Sequence, residues 1–476
     1  MPLVRFRLSA SAALLAPAVL CLLLAGCALT PPAAPAPVVA PAAFKQAGPW
    51  QHAAAQTPVP DAWWTLFGDP VLNELQHRLV VGNQNLRSVV AQVANARAAL
   101  DASRSAGSPT LSAGLSASRT GNPQSSNGVS VNTRGPANNL SLSGSANWEI
   151  DLWGRLAQAT AGAQAQLQAS VDDLAAARLS AHASLAQSYF SLRAAEAQTA
   201  LLERSEQAYQ RSLDLTQLRY DAGVVARSEV LQAQAQLKSA QAQMLESATQ
   251  RAQLEHAIAV LLGLPPSDLT LARTATLPAA PTVPELLPTT LLERRPDIAA
   301  AQRRVAAAYA QIGVSDAAFF PSLNLSAGAG YRNSSLANLV SAPNLFWSLG
   351  SSLAQLIFDS GQRKLASAQA GNSAEQATAT YRQVVLTALQ EVEDNLLLAD
   401  QLQREAQLQN EALQAARRNQ EIVLDQYRAG TVSYLNVVIA QTAALTSESS
   451  LLSLRNRQLA AVNQLLKNIA GRWDGA

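Results

Sequence analysis

The stretch Tyr220-Asp-Ala-Gly223, followed by Ala233-Gln234, has a counterpart 207 residues later in Tyr427-Arg-Ala-Gly430, followed by Ala440-Gln441. In both stretches a tyrosine stands three positions before a glycine, and an Ala-Gln pair begins ten positions after that glycine. Glycine readily adopts the left-handed backbone conformation that ends a helix. Each stretch is therefore typical of a turn between two helices, and this turn occurs twice in one chain.

Two more pairs of similar stretches follow in the same order at nearly the same offset. Asp151-Leu-Trp-Gly-Arg155 matches Asp359-Ser-Gly-Gln-Arg363, displaced by 208 residues. The alternating segment after Pro109 matches the one after Pro321, displaced by 212 residues. Three pairs at almost one offset indicate that the chain contains two copies of a single structural unit.

The distribution of proline predicts where the helices of these copies lie. None of the 23 prolines falls in 155–264 or 344–476. Because a proline inside a helix costs about 3 kcal/mol, we predict that each copy begins with a helix and ends in a long antiparallel helical hairpin that turns at Gly223 or Gly430. The predicted boundaries are repeat 1 at 71–264 with its helical hairpin at 155–264, a proline-rich linker at 265–290, and repeat 2 at 291–476 with its helical hairpin at 363–470.

Between the first helix and the helical hairpin of each repeat, apolar and polar residues alternate. Such a period of two predicts β-hairpins at 109–150 and 321–358. Strands of about ten residues with one apolar face are typical of transmembrane β-barrels. A small soluble β-sandwich packed on the helices has the same alternation and stays open as an alternative. The apolar positions are Leu111, Ala113, Leu115, Ala117, Leu140, Leu142, Ala146, Trp148 and Ile150 in repeat 1, and Leu323, Leu325, Ala327, Ala329, Tyr331, Trp347, Leu349 and Leu353 in repeat 2.

The N-terminus has the pattern of a targeting segment. Arg5 and Arg7 precede an apolar stretch that ends in Leu24-Ala25-Gly26-Cys27. That tetrapeptide resembles the bacterial lipobox, in which the signal is cut before a cysteine that is then lipidated. We predict a signal peptide at 1–26 and a lipidated tether at 27–70, with Cys27 as the acylated residue. An ordinary signal peptide with an incidental cysteine is the alternative.

A constraint on backbone hydrogen bonding predicts the assembly. Four strands cannot close a barrel, and an open sheet edge is not tolerated in lipid. Several chains must therefore share one barrel. Two chains give eight strands, whose interior is filled by side chains, whereas three give twelve and leave a pore. Small polar residues on the inner face fit twelve strands better.

Four groups of residues resemble one known family, the TolC-like outer-membrane efflux proteins, and most closely its lipidated branch, which serves multidrug exporters. They are the Trp-Glu-Ile-Asp-Leu-Trp-Gly-Arg of 148–155, the Phe-Asp-Ser-Gly-Gln-Arg of 358–363, the Arg-Arg-Pro-Asp of 294–297 and the two Tyr-x-x-Gly turns. The resemblance implies an α+β membrane protein that forms a homotrimer. Its twelve-stranded β-barrel would lie in the outer membrane and continue into an α-helical barrel across the periplasm.

The resemblance also implies a function. The protein would be a passive exit duct of a tripartite efflux system that exports small molecules. An inner-membrane pump would energise it through a periplasmic adaptor, and the acylated Cys27 would anchor it to outer-membrane lipid. The residues expected at the periplasmic tip, where the adaptor docks, are Tyr220, Gly223, Val224, Val225, Tyr427, Gly430, Thr431 and Val432, of which the valines and Thr431 are expected to be exposed.

Relatives in this family often close the tip with acidic residues just after each turn. Glu229 keeps such an acid after the first turn, but Asn436 and Ile439 stand after the second turn, where relatives usually offer an aspartate. We therefore expect a more apolar constriction instead of a ring of acids. Its candidate residues are Glu229, Val432, Leu435, Asn436 and Ile439. Packing of Ile439 in a helix seam is the alternative.

Composition excludes several other functions. Removal of residues 1–26 takes away Arg5 and Arg7 and no acid, so 33 basic and 33 acidic residues remain, and nucleic-acid binding is not expected. The four histidines have no partner at metal-ligand spacing and no phosphate-binding glycine loop occurs, so we expect no enzyme activity, cofactor or metal. A lipoprotein that spaces two membranes with coiled coils, and a duct for secreted proteins, remain as alternatives.

Overall fold

The computed structural model describes residues 41, 44–45, 50–51, 62–121, 136–281, 283–284 and 295–469. The predicted signal peptide, Cys27 and most of the predicted tether lie outside these residues, as does Arg294. Within the described residues the long helices and the long strands are α1 (Pro70–Gly82), α2 (Gln84–Ser105), β1 (Thr110–Thr120), β2 (Ala137–Ile150), α3 (Arg155–Asp221), α4 (Arg227–Leu261), α5 (Pro296–Ala317), β3 (Ser322–Asn333), β4 (Leu345–Ala354), α6 (Gln362–Arg428) and α7 (Tyr434–Ile469).

Contacts divide the chain into two compact units. One, here called the sheet unit, contains Val93–Ser170 and Ala301–Tyr381. The other, here called the helical unit, contains Pro37–Gln92, Val171–Ala300 and Arg382–Ala476. Each unit takes segments from both halves of the sequence, so this division cuts across the two repeats.

The sheet unit holds one antiparallel sheet with the strand order β1-β2-β3-β4. The register places Leu115 opposite Leu142, and Leu142 opposite Tyr331 on the next strand. Ala329 in turn lies opposite Trp347. Because side chains alternate between the two faces of a strand, this register collects the apolar positions of all four strands on one face.

The core of the helical unit is built around the short 3-10 helix Trp63–Phe67 and α3. Phe67 packs on Phe190 with ring centroids 4.6 Å apart, and Trp64 stacks on His182 at 4.1 Å. Gln76 is 2.6 Å from Nδ1 of His182 and also donates to its backbone carbonyl. Burial, together with the smaller effects of the nearby Arg178 and His77, lowers the pKa of His182 to about 4. His182 is therefore a neutral core residue at neutral pH.

A buried network of charges fixes the linker to the helical unit. Glu196 accepts from Arg193 at 2.7 Å and from Arg251 at 2.9 Å. Arg193 also donates to the carbonyl of Ala272, and the backbone amide of Thr274 donates to Glu196. Each charge has an oppositely charged partner, and Arg193 and Arg251 also donate to backbone oxygens of Ala272 and Leu271, so the network holds the linker on α3 and α4.

Among the described residues, one helix, α7, is long and apolar enough by composition to cross a membrane. A core helix passes the same test. About a third of the apolar window of α7 is buried within the chain, and further along the helix Leu459, Val462, Leu465 and Leu466 belong to the core of the helical unit.

Candidate functional site

The sheet presents an apolar face that is exposed within one chain. Leu111, Trp347 and Leu349 on this face are each more than three quarters exposed. The opposite face carries small polar residues, and two of its cross-strand pairs are hydrogen-bonded hydroxyls: Ser112 with Ser145 and Ser116 with Ser141, both at 2.8 Å. An exposed apolar face of this extent on a sheet indicates a surface that another apolar medium covers.

Both outer edges of the sheet have free hydrogen-bonding groups. In the part of the chain that the structure describes, β1 pairs only with β2, and β4 pairs only with β3. The strands at the two edges are 11 and 10 residues long. Long unpaired edges of this kind are templates for pairing with further strands.

The Asp-to-Arg motif that occurs in both repeats forms the connection from strand to helix. Asp151 accepts from the backbone amide of Ala157 at 2.7 Å, in the first turn of α3. In the second repeat Asp359 accepts from the backbone amide of Arg363 at 3.1 Å and from its guanidinium at 2.7 Å. The acid therefore satisfies free amides at the start of each long helix, a capping role that the sequence comparison had not assigned.

The two turns end their helices in the same way. Gly223 has φ 74° and Gly430 has φ 79°, both in the left-handed region. The amide of Val224 donates to the carbonyl of Arg219 at 2.8 Å, and the amide of Thr431 donates to that of Gln426 at 3.0 Å. These bonds satisfy the last carbonyls of α3 and α6 and are the pattern of the Schellman motif.

Tyr427 lies at the centre of a cluster at the second turn and is only 1% exposed. Its hydroxyl donates to Glu229 at 3.2 Å and lies 3.2 Å from the hydroxyl of Thr216. Its ring packs against Tyr434 with centroids 5.5 Å apart. Burial raises the pKa of Tyr427, which keeps the phenol protonated as a donor to the Glu229 carboxylate.

Arg219 joins the first turn to the second. Its guanidinium donates to the backbone carbonyl of Tyr427 and lies 4.6 Å above that tyrosine ring. The arginine therefore caps the end of α6 and makes a cation–π contact. The sequence comparison did not select Arg219 or Thr216, because their counterparts in repeat 2 are Gln426 and Val423 and the motif does not repeat there.

The other residues predicted for the tip differ in exposure. Val224 and Thr431 are exposed, as expected. Val225 and Val432 are half-buried, so the expectation that they are exposed is wrong. Val432 packs against the Tyr427 and Tyr434 cluster, which explains its burial.

The residues predicted for the constriction have different surroundings within one chain. Glu229 is half-buried and is held by Tyr427. Leu435 and Ile439 lie one turn apart on α7 and are both exposed, and Asn436 is exposed beside Ser433. Within a single chain these three residues therefore lie on the surface.

No group of three or more His, Cys, Asp or Glu side chains is placed to hold a metal ion among the residues described by the structure.

Comparisons with known proteins match almost the whole chain. The family model for outer membrane efflux proteins matches residues 75–264 and 287–471. The chain is 31% identical to the pyoverdine export outer membrane protein OpmQ of Pseudomonas aeruginosa, over 95% of this chain and 96% of the relative. It is 30% identical to the antibiotic efflux pump outer membrane protein ArpC of Pseudomonas putida, over 97% and 96%.

The solved structure of the outer-membrane channel OprN is similar in fold as well as sequence. It superposes with a TM-score of 0.84 at 29% identity and covers 93% of this chain and 99% of the channel. These matches confirm the predicted two-repeat fold and its location in the outer membrane. The chain belongs to the outer membrane efflux protein family.

Proposed function

We propose that this protein works as a homotrimeric exit duct through which a tripartite efflux system exports small molecules. The duct is passive, and an inner-membrane pump energises it through a periplasmic adaptor. The observation that carries the proposal is the four-stranded sheet, which combines an exposed apolar face with two unpaired edges.

Closure of the sheet supports the trimer. Each unpaired backbone group in lipid costs several kcal/mol, so the edges of β1 and β4 must pair with strands of other copies. Three copies supply twelve strands, enough to leave a water-filled interior. The serine-rich face then lines that interior, and Leu111, Trp347 and Leu349 face lipid.

The organisation of the chain follows from the repeats. We propose repeat 1 at 71–264 and repeat 2 at 291–476, joined by the linker 265–290. The signal peptide at 1–26 is removed, and acylated Cys27 with the tether 27–70 attaches the trimer to outer-membrane lipid. An acyl chain stabilises membrane attachment by about 0.8 kcal/mol per buried CH₂.

The turns at Gly223 and Gly430 are the proposed docking site for the adaptor. Exposed Val224 and Thr431 provide contacts beside each glycine. Tyr427 and Val432 pack in the cluster beside the second turn, and Tyr220 and Val225 belong to the proposed docking site at the first turn. The proposed constriction uses Glu229, Val432, Leu435, Asn436 and Ile439.

The relatives' names support small molecules as cargo without selecting one. OpmQ is named for export of pyoverdine, and ArpC for efflux of antibiotics. Both chains cover this one almost completely. A duct passes whatever its pump supplies, so the substrate class is set by the partner pump.

Reconstitution tests the proposal. The full-length protein is purified, its mass is measured by native mass spectrometry, and it is inserted into planar bilayers. We expect a trimer that conducts ions in discrete steps. A monomer, or a trimer that leaves the bilayer impermeable under every applied voltage, would contradict the duct and favour a membrane spacer.

A further inference from the structure

We propose that Arg332 forms a cationic ring at the loop end of the duct and makes this mouth selective for anionic solutes. The loop end is the end of the sheet at which β1 leads into β2 and β3 leads into β4, and the helix end is the opposite one. The inference rests on the proposed trimer, in which one arginine from each chain completes the ring. Rings of arginine or lysine are the usual device of anion-selective pores.

The sequence of the sheet carries charge of one sign. The segments 105–148 and 317–358 together contain Arg119, Arg134 and Arg332, and neither segment contains an aspartate or a glutamate. The acids that follow them in the sequence, Glu149 and Asp359, come after each chain segment has returned to the helix end. The strands and their connections therefore bring positive charge and no negative charge to the loop end.

The register places Arg332 on the polar face of the sheet. Arg332 lies opposite Ser141, which in turn lies opposite Ser116 and shares a hydroxyl hydrogen bond with it. The next pair along the strands, Leu142 with Tyr331, lies on the apolar face, because side chains alternate between the two faces. In the proposed trimer the serine-rich face lines the water-filled interior, so Arg332 lies inside the duct.

Arg119 lies at the same end of the sheet but on the other face. It is opposite Asn138 and has the same strand parity as Leu111 and Leu115 of β1. Arg119 is therefore on the side that lipid covers in the proposed trimer, where a long side chain extends towards the headgroups. Because the two arginines share the end of the sheet and differ in face, Arg119 is the matched control for Arg332.

An aromatic ring holds the guanidinium of Arg332 on the polar face. Its Cζ lies 4.9 Å from the ring centroid of Phe346, a cation–π contact. Phe346 is half-buried and lies opposite Gly330, two residues before Arg332 on β3, so both side chains share one face. A neutral ring orients the guanidinium without neutralising it, so the positive charge of the exposed Arg332 stays available to solutes.

The other charge on the polar face is balanced. Glu149, near the helix end, accepts a hydrogen bond from Arg155 at 2.8 Å. In the four long strands of the described sheet, Arg332 and Glu149 are the charged residues of the polar face. Each chain therefore contributes one uncompensated positive charge to the interior of the barrel, and that charge lies at the loop end.

The width of the barrel decides whether such a ring acts on solutes. Twelve strands about 4.8 Å apart and tilted by about 40° enclose a barrel roughly 24 Å across between opposite backbones. The Arg332 side chain extends inwards, so its charge lies within about one Debye length of the axis, ~10 Å at 0.1 M salt. The ring therefore attracts anions across the whole mouth at low salt and is screened at high salt.

Reversal potentials in planar bilayers test the ring. Full-length Arg332→Gln is compared with the parent chain under a gradient of KCl. Near 0.1 M salt we expect the ratio of chloride to potassium permeability to fall by about threefold, because the charges removed act across about one Debye length of water. At 1 M salt the Debye length is about 3 Å, so the parent and the variant should become equal. Arg119→Gln should match the parent at both salt concentrations.

Chemical modification locates the side chain. Arg332→Cys is treated with a thiol reagent that attaches an ammonium group, or with one that attaches a sulfonate. The ammonium adduct should restore the preference for chloride, and the sulfonate adduct should shift selectivity towards potassium. Arg119→Cys should respond to neither, because its side chain lies outside the water-filled interior. The parent chain, with Cys21 and Cys27 alone, gives the background.

The conservative variant separates charge from structure. Arg332→Lys keeps the charge and should keep the selectivity of the parent. An unchanged reversal potential in Arg332→Gln near 0.1 M salt, or an equal change in Arg119→Gln, would overturn the ring. A parent chain that forms no conducting trimer would refute the proposed function, whereas a conducting parent whose selectivity does not depend on Arg332 refutes only the ring.

Discussion

The two repeats place the same tyrosine before the same glycine turn, and yet the two tyrosines have opposite surroundings. Tyr220 is 38% exposed, whereas Tyr427 is 1% exposed. Gly223 and Gly430 have almost the same φ, and their turns make the same backbone hydrogen bonds. The backbone of a turn is therefore copied with the repeat, but the environment of its side chains depends on what packs against it.

The difference extends along the long helices. At the position of Glu196 in repeat 1, repeat 2 has the exposed Gln403, and at the position of His182 it has Leu389. Repeat 1 buries these polar groups because the linker and the Trp63–Phe67 helix cover α3. The two repeats share one plan of helices and strands. Their buried side chains differ because the linker and the segment before repeat 1 cover α3.

The largest expected effect is at Glu196. Glu196→Ala leaves Arg193 and Arg251 without their shared carboxylate in a buried site, and removing one partner of such a network costs about 3–5 kcal/mol. We expect a clear fall in the thermal unfolding temperature of the detergent-solubilised protein. Gln403→Ala is the matched control and should change stability by no more than about 0.5 kcal/mol. Equal effects of the two substitutions would contradict the proposed role of the network.

His182 gives repeat 1 a dependence on pH that repeat 2 lacks. Burial lowers its pKa from 6.5 to about 4, so the unfolded chain binds the proton more readily than the folded one between these values. The stability contributed by neutral His182 is therefore complete above pH 6.5 and is lost as the pH falls towards 4. A shift of this size corresponds to about 3 kcal/mol at most.

Unfolding measured between pH 4 and pH 7 tests this. The slope of stability against pH should flatten in His182→Leu, which copies the residue of repeat 2. Its absolute stability falls because Gln76 loses its partner. A slope that persists unchanged in the variant would assign the pH dependence to other groups.

Tyr427→Phe tests whether the hydrogen bond from Tyr427 to Glu229 holds the second turn in place. The substitution keeps the ring and removes the hydroxyl that donates to Glu229, at a cost of about 1–2 kcal/mol because the acceptor is charged and half-buried. We expect higher single-channel conductance, since a loosened turn widens the proposed constriction. Tyr220→Phe is the control, because Tyr220 is the corresponding tyrosine of repeat 1 and is exposed within one chain. A larger effect of Tyr220→Phe would contradict a special role for the bond between Tyr427 and Glu229.

The comparison also shows which features the sequence could predict. Gly223, Gly430 and the alternating strands were predictable because turns and strand faces depend on local patterns. Arg219 was not, because its partner Tyr427 is 208 residues away and its counterpart Gln426 breaks the repeat. Val432 was expected to be exposed on the same local grounds, but Tyr427 and Tyr434 cover it. Contacts between repeats are the features that a repeat pattern leaves undetermined.

Substitution of Ile439 has the smallest expected effect on stability and tests the proposed constriction most directly. It is exposed on α7, and the corresponding residue of repeat 1 is Gln232, also exposed. Ile439→Asp should change stability by no more than about 0.5 kcal/mol, as is usual for surface positions. In the proposed trimer it adds one negative charge from each chain at the constriction, so cation preference and current should rise. Gln232→Asp adds the same charge to repeat 1, outside the predicted set, and should act less. The two variants differ only in which repeat carries the new charge. Equal currents would therefore mean that Ile439 packs in a helix seam and that the apolar constriction is not formed by α7.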